Sequence, residues 1–135
     1  RVSAGTVRVK AVSAVDGALS DAVVCGLNED YVALLGFLNE GWCRRCVGED
    51  LSLGELCRHP RVLDAVREGI ARHNAGHPNP AARIARILLQ PDAPSADAGE
   101  ITEKGYINQN KALARRAQDV KRLYSEHPDE DVIVF

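Results

Sequence analysis

Two apolar runs constrain this chain more than anything else in it. Ala22 to Gly26 and Tyr31 to Leu38 are β-branched or aliphatic almost throughout, and Leu-Asn-Glu-Asp separates them. That separator is turn chemistry, so the pair predicts an antiparallel hairpin. An alternating strand can leave one face in water, whereas near-continuous apolar strands need both faces covered. The rest of the chain must therefore supply cover on both sides of a sheet. With 135 residues, one domain is expected.

The material for that cover lies on either side. Pro60 suits the first turn of a helix. Val62, Val66, Ile70 and His73 follow at steps of four, four and three, with Leu63 beside them, and the stripe stops near Asn74-Ala75-Gly76. Arg61, Asp64, Arg67, Glu68 and Arg72 then form the solvated face. Ser52 and Glu55 stand at capping-box spacing before it. From Asn108 to Glu126 a long helix is predicted by Leu113, Ala117, Val120 and Tyr124. Arg83 to Gln90, bracketed by Pro80 and Pro91, reads as a strand. Thr6 to Val12 also reads as a strand, alternating around Val7 and Val9 after a turn at Gly5. Val15 to Ser20 supports at most a turn of helix, and Val132 to Phe135 offers an edge strand or a docking segment. Glu40 to Asp50 reads as a loop with Trp42 capping the core edge. The expected fold is α+β: a small mixed sheet of about three strands, helices packed on it, and a long C-terminal helix.

Composition narrows function mostly by exclusion. A net charge of -2 and a pI near 6.1 give no global attraction to nucleic acid or an anionic membrane. The cations after Asn108 lack the interleaved aromatics of a nucleic-acid surface. No stretch approaches the ~20 apolar residues of a membrane span. The chain contains no methionine, so Arg1 is not expected to be a translation start: a fragment, a processed chain or a chain lacking its first residues is expected. Cys43-Arg-Arg-Cys46, with Cys57 and His59, has some of the spacing of a zinc site. Its second half is C-x-H, however, and Cys25 falls in a buried run, so free thiols in a reducing cytoplasm are the expectation and no metal site is assigned.

Between Gly99 and Gln109, G-E-I-T-E-K-G-Y-I-N-Q, a lysine and a glycine precede the basic helix; the residues alone read either as a solvated surface lysine, the usual case, or as the place where any chemistry of this chain lies. Gly105 can take backbone angles closed to other residues, so the chain can turn there and present Lys104 away from the packed body. Pro91 to Gly99, rich in Pro, Ala, Asp and Ser, reads as a linker that frees this segment from the sheet. No phosphate-cradling loop and no acyl pocket are found in the sequence.

Together with the following A-L-A-R-R-A, that segment resembles the carboxyl-terminal signature of the feruloyl-CoA synthase group within the adenylate-forming acyl-CoA synthetases. Ser3 to Val9, S-A-G-T-V-R-V, resembles the S-T-G-T-W-V-x-V stretch that opens the group's small C-terminal domain, and Asp21 to Asn39 resembles the strand pair after it. The family carries a longer helix around Val15 to Ser20. The resemblance implies that residues 1–135 are the mobile C-terminal domain of an AMP-forming acyl-CoA ligase, a cytoplasmic enzyme whose larger N-terminal adenylation domain is the main partner. It implies ATP, with Mg2+, and coenzyme A as co-substrates, and a carboxylic acid as the group transferred. Lys104 is then the catalytic candidate, with Lys111 second. Ser3, Gly5 and Thr6 would line the path of the coenzyme A thiol, where a side chain at Gly5 would obstruct. The wider superfamily places its lysine in T-x-x-G-K; here Tyr106 occupies that position and Lys104 comes two residues earlier. The alternative is a non-catalytic interaction or regulatory module, drawing on the basic last helix and the apolar terminus.

Overall fold

In the structure, a computed structural model that describes residues 3–26 and 29–135, the two apolar runs pair as expected and become half of a four-stranded sheet. The elements in chain order are α1 (Ala4–Ala14), β1 (Leu19–Cys25), β2 (Val32–Leu38), α2 (Glu40–Val47), α3 (Leu53–Leu56), α4 (Pro60–Gly76), β3 (Ile84–Leu89), α5 (Gln109–Arg115), α6 (Ala117–Leu123) and β4 (Val132–Val134). The strands lie in the order β1-β2-β3-β4. β2 runs antiparallel to β1, with Val23 opposite Leu35, and parallel to β3, with Leu34 opposite Ile87. β4 is antiparallel to β3 and forms an edge, as the terminal Val132 to Phe135 run suggested. The fold is α+β with a mixed sheet, and its fourth strand is that terminal segment.

All seven residues of β2 are buried, which explains their lack of alternation. Leu34 and Leu38 face a core shared with α1, α2, α3 and α4, while Ala33, Leu35 and Phe37 face a second core shared with α5 and α6. The period-2 pleat thus divides one apolar string between two layers. α4 carries its predicted stripe: Val62, Val66, Ile70 and His73 are buried, and the five charged residues opposite are exposed. The capping box at Ser52 and Glu55 closes in both directions.

Three expectations are corrected. Thr6 to Val12 is not a strand but most of α1, and Gly5 lies inside that helix. The Ser3 hydroxyl accepts the Thr6 amide at 3.1 Å and starts it. Val7, Ala11 and Val15 are then buried four residues apart while Val9 is 58% exposed, so the apparent alternation of Val7 and Val9 belonged to a helix. Glu40 to Asp50 is not a loop, because Asn39 caps α2 through the Trp42 amide and Gly48 ends it in the left-handed region at φ +80°. Cys43 and Val47 face the core from that helix, which spends the first cysteine of the C-R-R-C segment on packing. Trp42 packs half-buried at the core margin, as a cap would. Finally, the long C-terminal helix is two short ones, α5 and α6, broken at Arg116. Ala117, placed on the predicted stripe, is exposed, and Arg116 is buried instead.

The candidate lysine hairpin and its buried anchor

The chain leaves β3 through Gln90, whose amide continues the ladder to the Gly36 carbonyl at 2.8 Å. It then makes a compact excursion before α5, and this excursion carries Lys104. The Ser95 carbonyl accepts the Glu100 amide at 2.9 Å, and the Ser95 amide donates to the Glu100 carboxylate at 2.9 Å. Gly99, at φ +79°, supplies the reversal between them. Residues 101–107 follow as a miniature hairpin. Ile101 and Ile107 pair as an isolated antiparallel bridge, and the Thr102 amide donates to the Tyr106 carbonyl at 2.7 Å. The tip closes with the Gly105 amide on the Thr102 carbonyl at 2.9 Å and the Tyr106 amide on the Thr102 hydroxyl at 3.2 Å. Gly105 sits at φ +85°, a region open to glycine.

Almost every residue of the K-G-Y-I-N-Q string has a task in this architecture. Gly105 turns, Ile107 packs on the second core, and the Asn108 side chain caps α5 through the Lys111 amide at 3.1 Å. Gln109 lies along the free edge of β1, where its side-chain amide receives the Val24 N–H at 3.3 Å and donates to the Ala22 carbonyl at 3.2 Å. It stands in for a missing neighbouring strand. The side chains of Lys104 and Tyr106 are the exceptions. Both are exposed, Tyr106 by 64%, and among the described residues neither side chain has a hydrogen bond or an ion pair. Lys111 is exposed on α5 with its stem passing Gly99.

The expectation of a linker that frees this segment is overturned by Glu100. Its side chain is fully buried and receives Nε of Arg116 at 2.7 Å, Nη2 of Arg116 at 3.1 Å and Nη1 of Arg115 at 2.8 Å. Arg116 also donates to the Gln90 side-chain carbonyl at 2.8 Å and the Ala93 carbonyl at 3.2 Å, and its guanidinium lies 4.8 Å from the centre of the Phe37 ring. The hydrogen bond from Arg116, aided by the Ser95 amide and both guanidinium charges, outweighs burial and holds the Glu100 carboxyl down at about 2. Neither residue was singled out from sequence, where Arg115 and Arg116 belong to a cationic segment. Nothing in the sequence marks Glu100 apart from the neighbouring acids Asp92, Asp97 and Glu103.

The second candidate group lies on the other face of the sheet. Ser3 caps α1, and its hydroxyl is 2.8 Å from that of Thr6. Gly5 is exposed with nothing within 4 Å of where a β-carbon would stand, so the fold of this chain itself has room for one. Ser3 and Thr6 border a cavity of about 260 Å³ with Lys10, His73 and His77. The two histidine rings stack at 4.3 Å, and burial, the chief cause, lowers the His73 pKa. A larger cleft of about 400 Å³ opens beside β3, between Ser52, Cys57, Pro91, Arg122 and Asp131. Lys104 borders neither cavity, and the fold does not bring it together with Ser3, Gly5 and Thr6.

The four cysteines are unpaired, and Cys25, Cys43 and Cys57 are raised to about 12, 11 and 12, chiefly by burial. Among the described residues no group of three or more His, Cys, Asp and Glu side chains is placed to hold a metal ion, and no helix is long and apolar enough to cross a membrane. The chain matches no family model, no curated protein and no solved structure.

Proposed function

We propose that the chain is the C-terminal domain of an AMP-forming acyl- or aryl-CoA ligase of the feruloyl-CoA synthase kind, and that Lys104 is its catalytic cation during adenylation. The observation that carries this reading is an exposed ammonium, without a partner among the described residues, at the tip of a hydrogen-bonded hairpin and outside the two cavities above. Such a charge is available to a ligand held by another body. In the reaction, a carboxylate oxygen attacks the α-phosphorus of ATP, forming the acyl–phosphate bond as the bond to pyrophosphate breaks. The coenzyme A thiolate then attacks the acyl carbon and AMP departs. Negative charge shifts among the carboxylate and phosphate oxygens in the first step, and a cation set beside them favours the transition state. At ~4 Å and an effective dielectric near 20, one such charge pair is worth about 4 kcal/mol.

ATP, its Mg2+ and the acid would be held by the N-terminal adenylation domain, since no acidic cluster among the described residues fits the metal. Ser3, Gly5 and Thr6, on the opposite face, would serve the thiol path after the domain rotates. Four free thiols suit a reducing, cytoplasmic setting.

The test is made in the full-length parent enzyme. Lys104→Ala is expected to slow ATP–pyrophosphate exchange by on the order of 10², a typical effect of losing one stabilising group, while thioester formation from supplied acyl adenylate stays near wild type. Unchanged exchange, or equal loss in both half-reactions, would refute the assignment. The 135-residue chain alone is expected to show no exchange above background. A second reading, a non-catalytic interaction module, draws on the β4 edge with its 58% exposed Val134. Salt-sensitive binding of a protein partner with no nucleotide effect would favour it.

A further inference from the structure

We infer that Glu100 and Arg116 are positioning residues for Lys104: their buried ion pair sets the direction in which the lysine hairpin leaves the fold, and with it the approach of the ammonium to its ligand. This rests on the reading of Lys104 as the adenylation cation. The two ends of the hairpin meet at Glu100, whose carbonyl accepts the Asn108 amide at 2.8 Å. The base of the 101–107 hairpin is therefore closed on the backbone of Glu100, with Ile107 packed on the second core beside it. The side chain of Glu100 is buried and held from both carboxylate oxygens.

Arg116 completes the clamp. Its donors reach the end of β3 at Gln90, the linker at Ala93 and the hairpin base at Glu100, while Phe37 covers its face. Three pieces of chain that could otherwise shift are thus referred to one planar group. The helix break serves this geometry, since Arg116 leaves helical angles at φ -106° and ψ 28° while its side chain is buried. A buried ion pair is a poor source of net stability compared with apolar packing, so its use here points to a demand for geometry. A lysine could keep the charge but not the fork that engages three partners. Misplacement of a catalytic group by ~1 Å can cost on the order of 10² in rate, so the base of the hairpin bears directly on what its tip achieves.

The experiment compares Lys104→Ala, Glu100→Gln and Arg116→Lys in the full-length enzyme, at a temperature where circular dichroism shows each folded. The expected result for the two anchor variants is a fall of about tenfold or more in ATP–pyrophosphate exchange, with thioester formation from supplied acyl adenylate within about twofold of wild type. In the 135-residue chain, amide hydrogen exchange at Thr102, Gly105 and Asn108 should quicken in Glu100→Gln and stay unchanged in Lys104→Ala. Should Glu100→Gln fail to fold, Arg115→Ala, which removes the half-exposed member of the cluster, should shift the same ratio of half-reactions in the same direction. An unchanged ratio in the folded anchor variants, or an equal fall in both half-reactions, overturns the positioning role. If Lys104→Ala itself leaves adenylation intact, the catalytic reading fails and this inference fails with it. A defect in Lys104→Ala with none in the anchor variants refutes positioning alone.

Discussion

Replacing Arg116 with methionine isolates the energetics of the anchor. The substitution leaves the fully buried Glu100 carboxylate with only the half-exposed Arg115 at 2.8 Å and the Ser95 amide at 2.9 Å. Removing one partner from a buried ion pair costs about 3–5 kcal/mol, because the remaining charge keeps its desolvation penalty. That is a large share of the about 5–15 kcal/mol that holds a typical domain together. For a chain of this size it corresponds to a fall in Tm of about 10–20 °C. The pH dependence makes the claim sharper. The Glu100 carboxyl is held at about 2, below its ordinary 4.5, so its contribution is fully present above 4.5 and is lost as pH falls toward 2. At ~1.36 kcal/mol per pH unit, this is about 3 kcal/mol in all, of which about 2 kcal/mol is gone by pH 3. In Arg116→Met the main cause of the depression is absent, so acid removes little that depends on it. Other depressed carboxyls, Asp129 and Glu55, are common to both proteins and cancel in the difference. Urea unfolding at pH 7 and pH 3 should therefore show a gap of about 3–5 kcal/mol narrowing by about 2 kcal/mol. A gap under about 1 kcal/mol at pH 7, or one unchanged at pH 3, would refute this account of the anchor.

Three further substitutions test the layers around it. At Gly69, in α4, a β-carbon would lie 2.6 Å from Cα of Val15 and 2.8 Å from the Ala14 carbonyl oxygen, backbone atoms that cannot rotate away. Gly69→Ala should therefore lower stability by about 1–2 kcal/mol despite its better helix propensity, and a stabilised variant would show that α1 separates freely from α4. Gly5→Ala meets open space in an exposed helix turn, so thermal unfolding should show a gain of about 0.5–1 kcal/mol; a loss would contradict the helical assignment of that segment. Gln109→Ala strips the β1 edge of its substitute neighbour. A loss of about 1–2 kcal/mol and faster amide exchange at Val24 are expected, and unaltered exchange there would mean that water replaces the side chain without cost.

Local pattern was a sound guide wherever one period dominated a segment. The antiparallel pairing of β1 with β2, the stripe and first-turn proline of α4, the capping box at Ser52, the β3 strand and the β4 edge all follow from spacing and local chemistry, while Leu27 and Asn28 of the expected turn lie outside the described residues. It misled where two periods agree over a short stretch. Val7 and Val9 fit a strand as well as a helix, and only the contact of Val7 and Ala11 with the first core separates the two. The C-R-R-C segment drew attention to sulfur chemistry and away from the Asn39 and Gly48 caps that make it a helix. At the candidate site, Lys104 and its glycine turn were legible, because an exposed lysine needs no partner and a positive φ favours glycine.

By itself, the sequence determined that strands with two apolar faces would require helices on both sides, and that one glycine-hinged lysine would face outward. Tertiary structure alone decided that the supposedly loose linker is tied down and that the last helix breaks. Both depend on Arg116 meeting Glu100, Gln90 and Ala93, groups that local propensity treats independently. A buried charge is tolerated only where partners distant along the chain converge on it, and that convergence is a property of the fold.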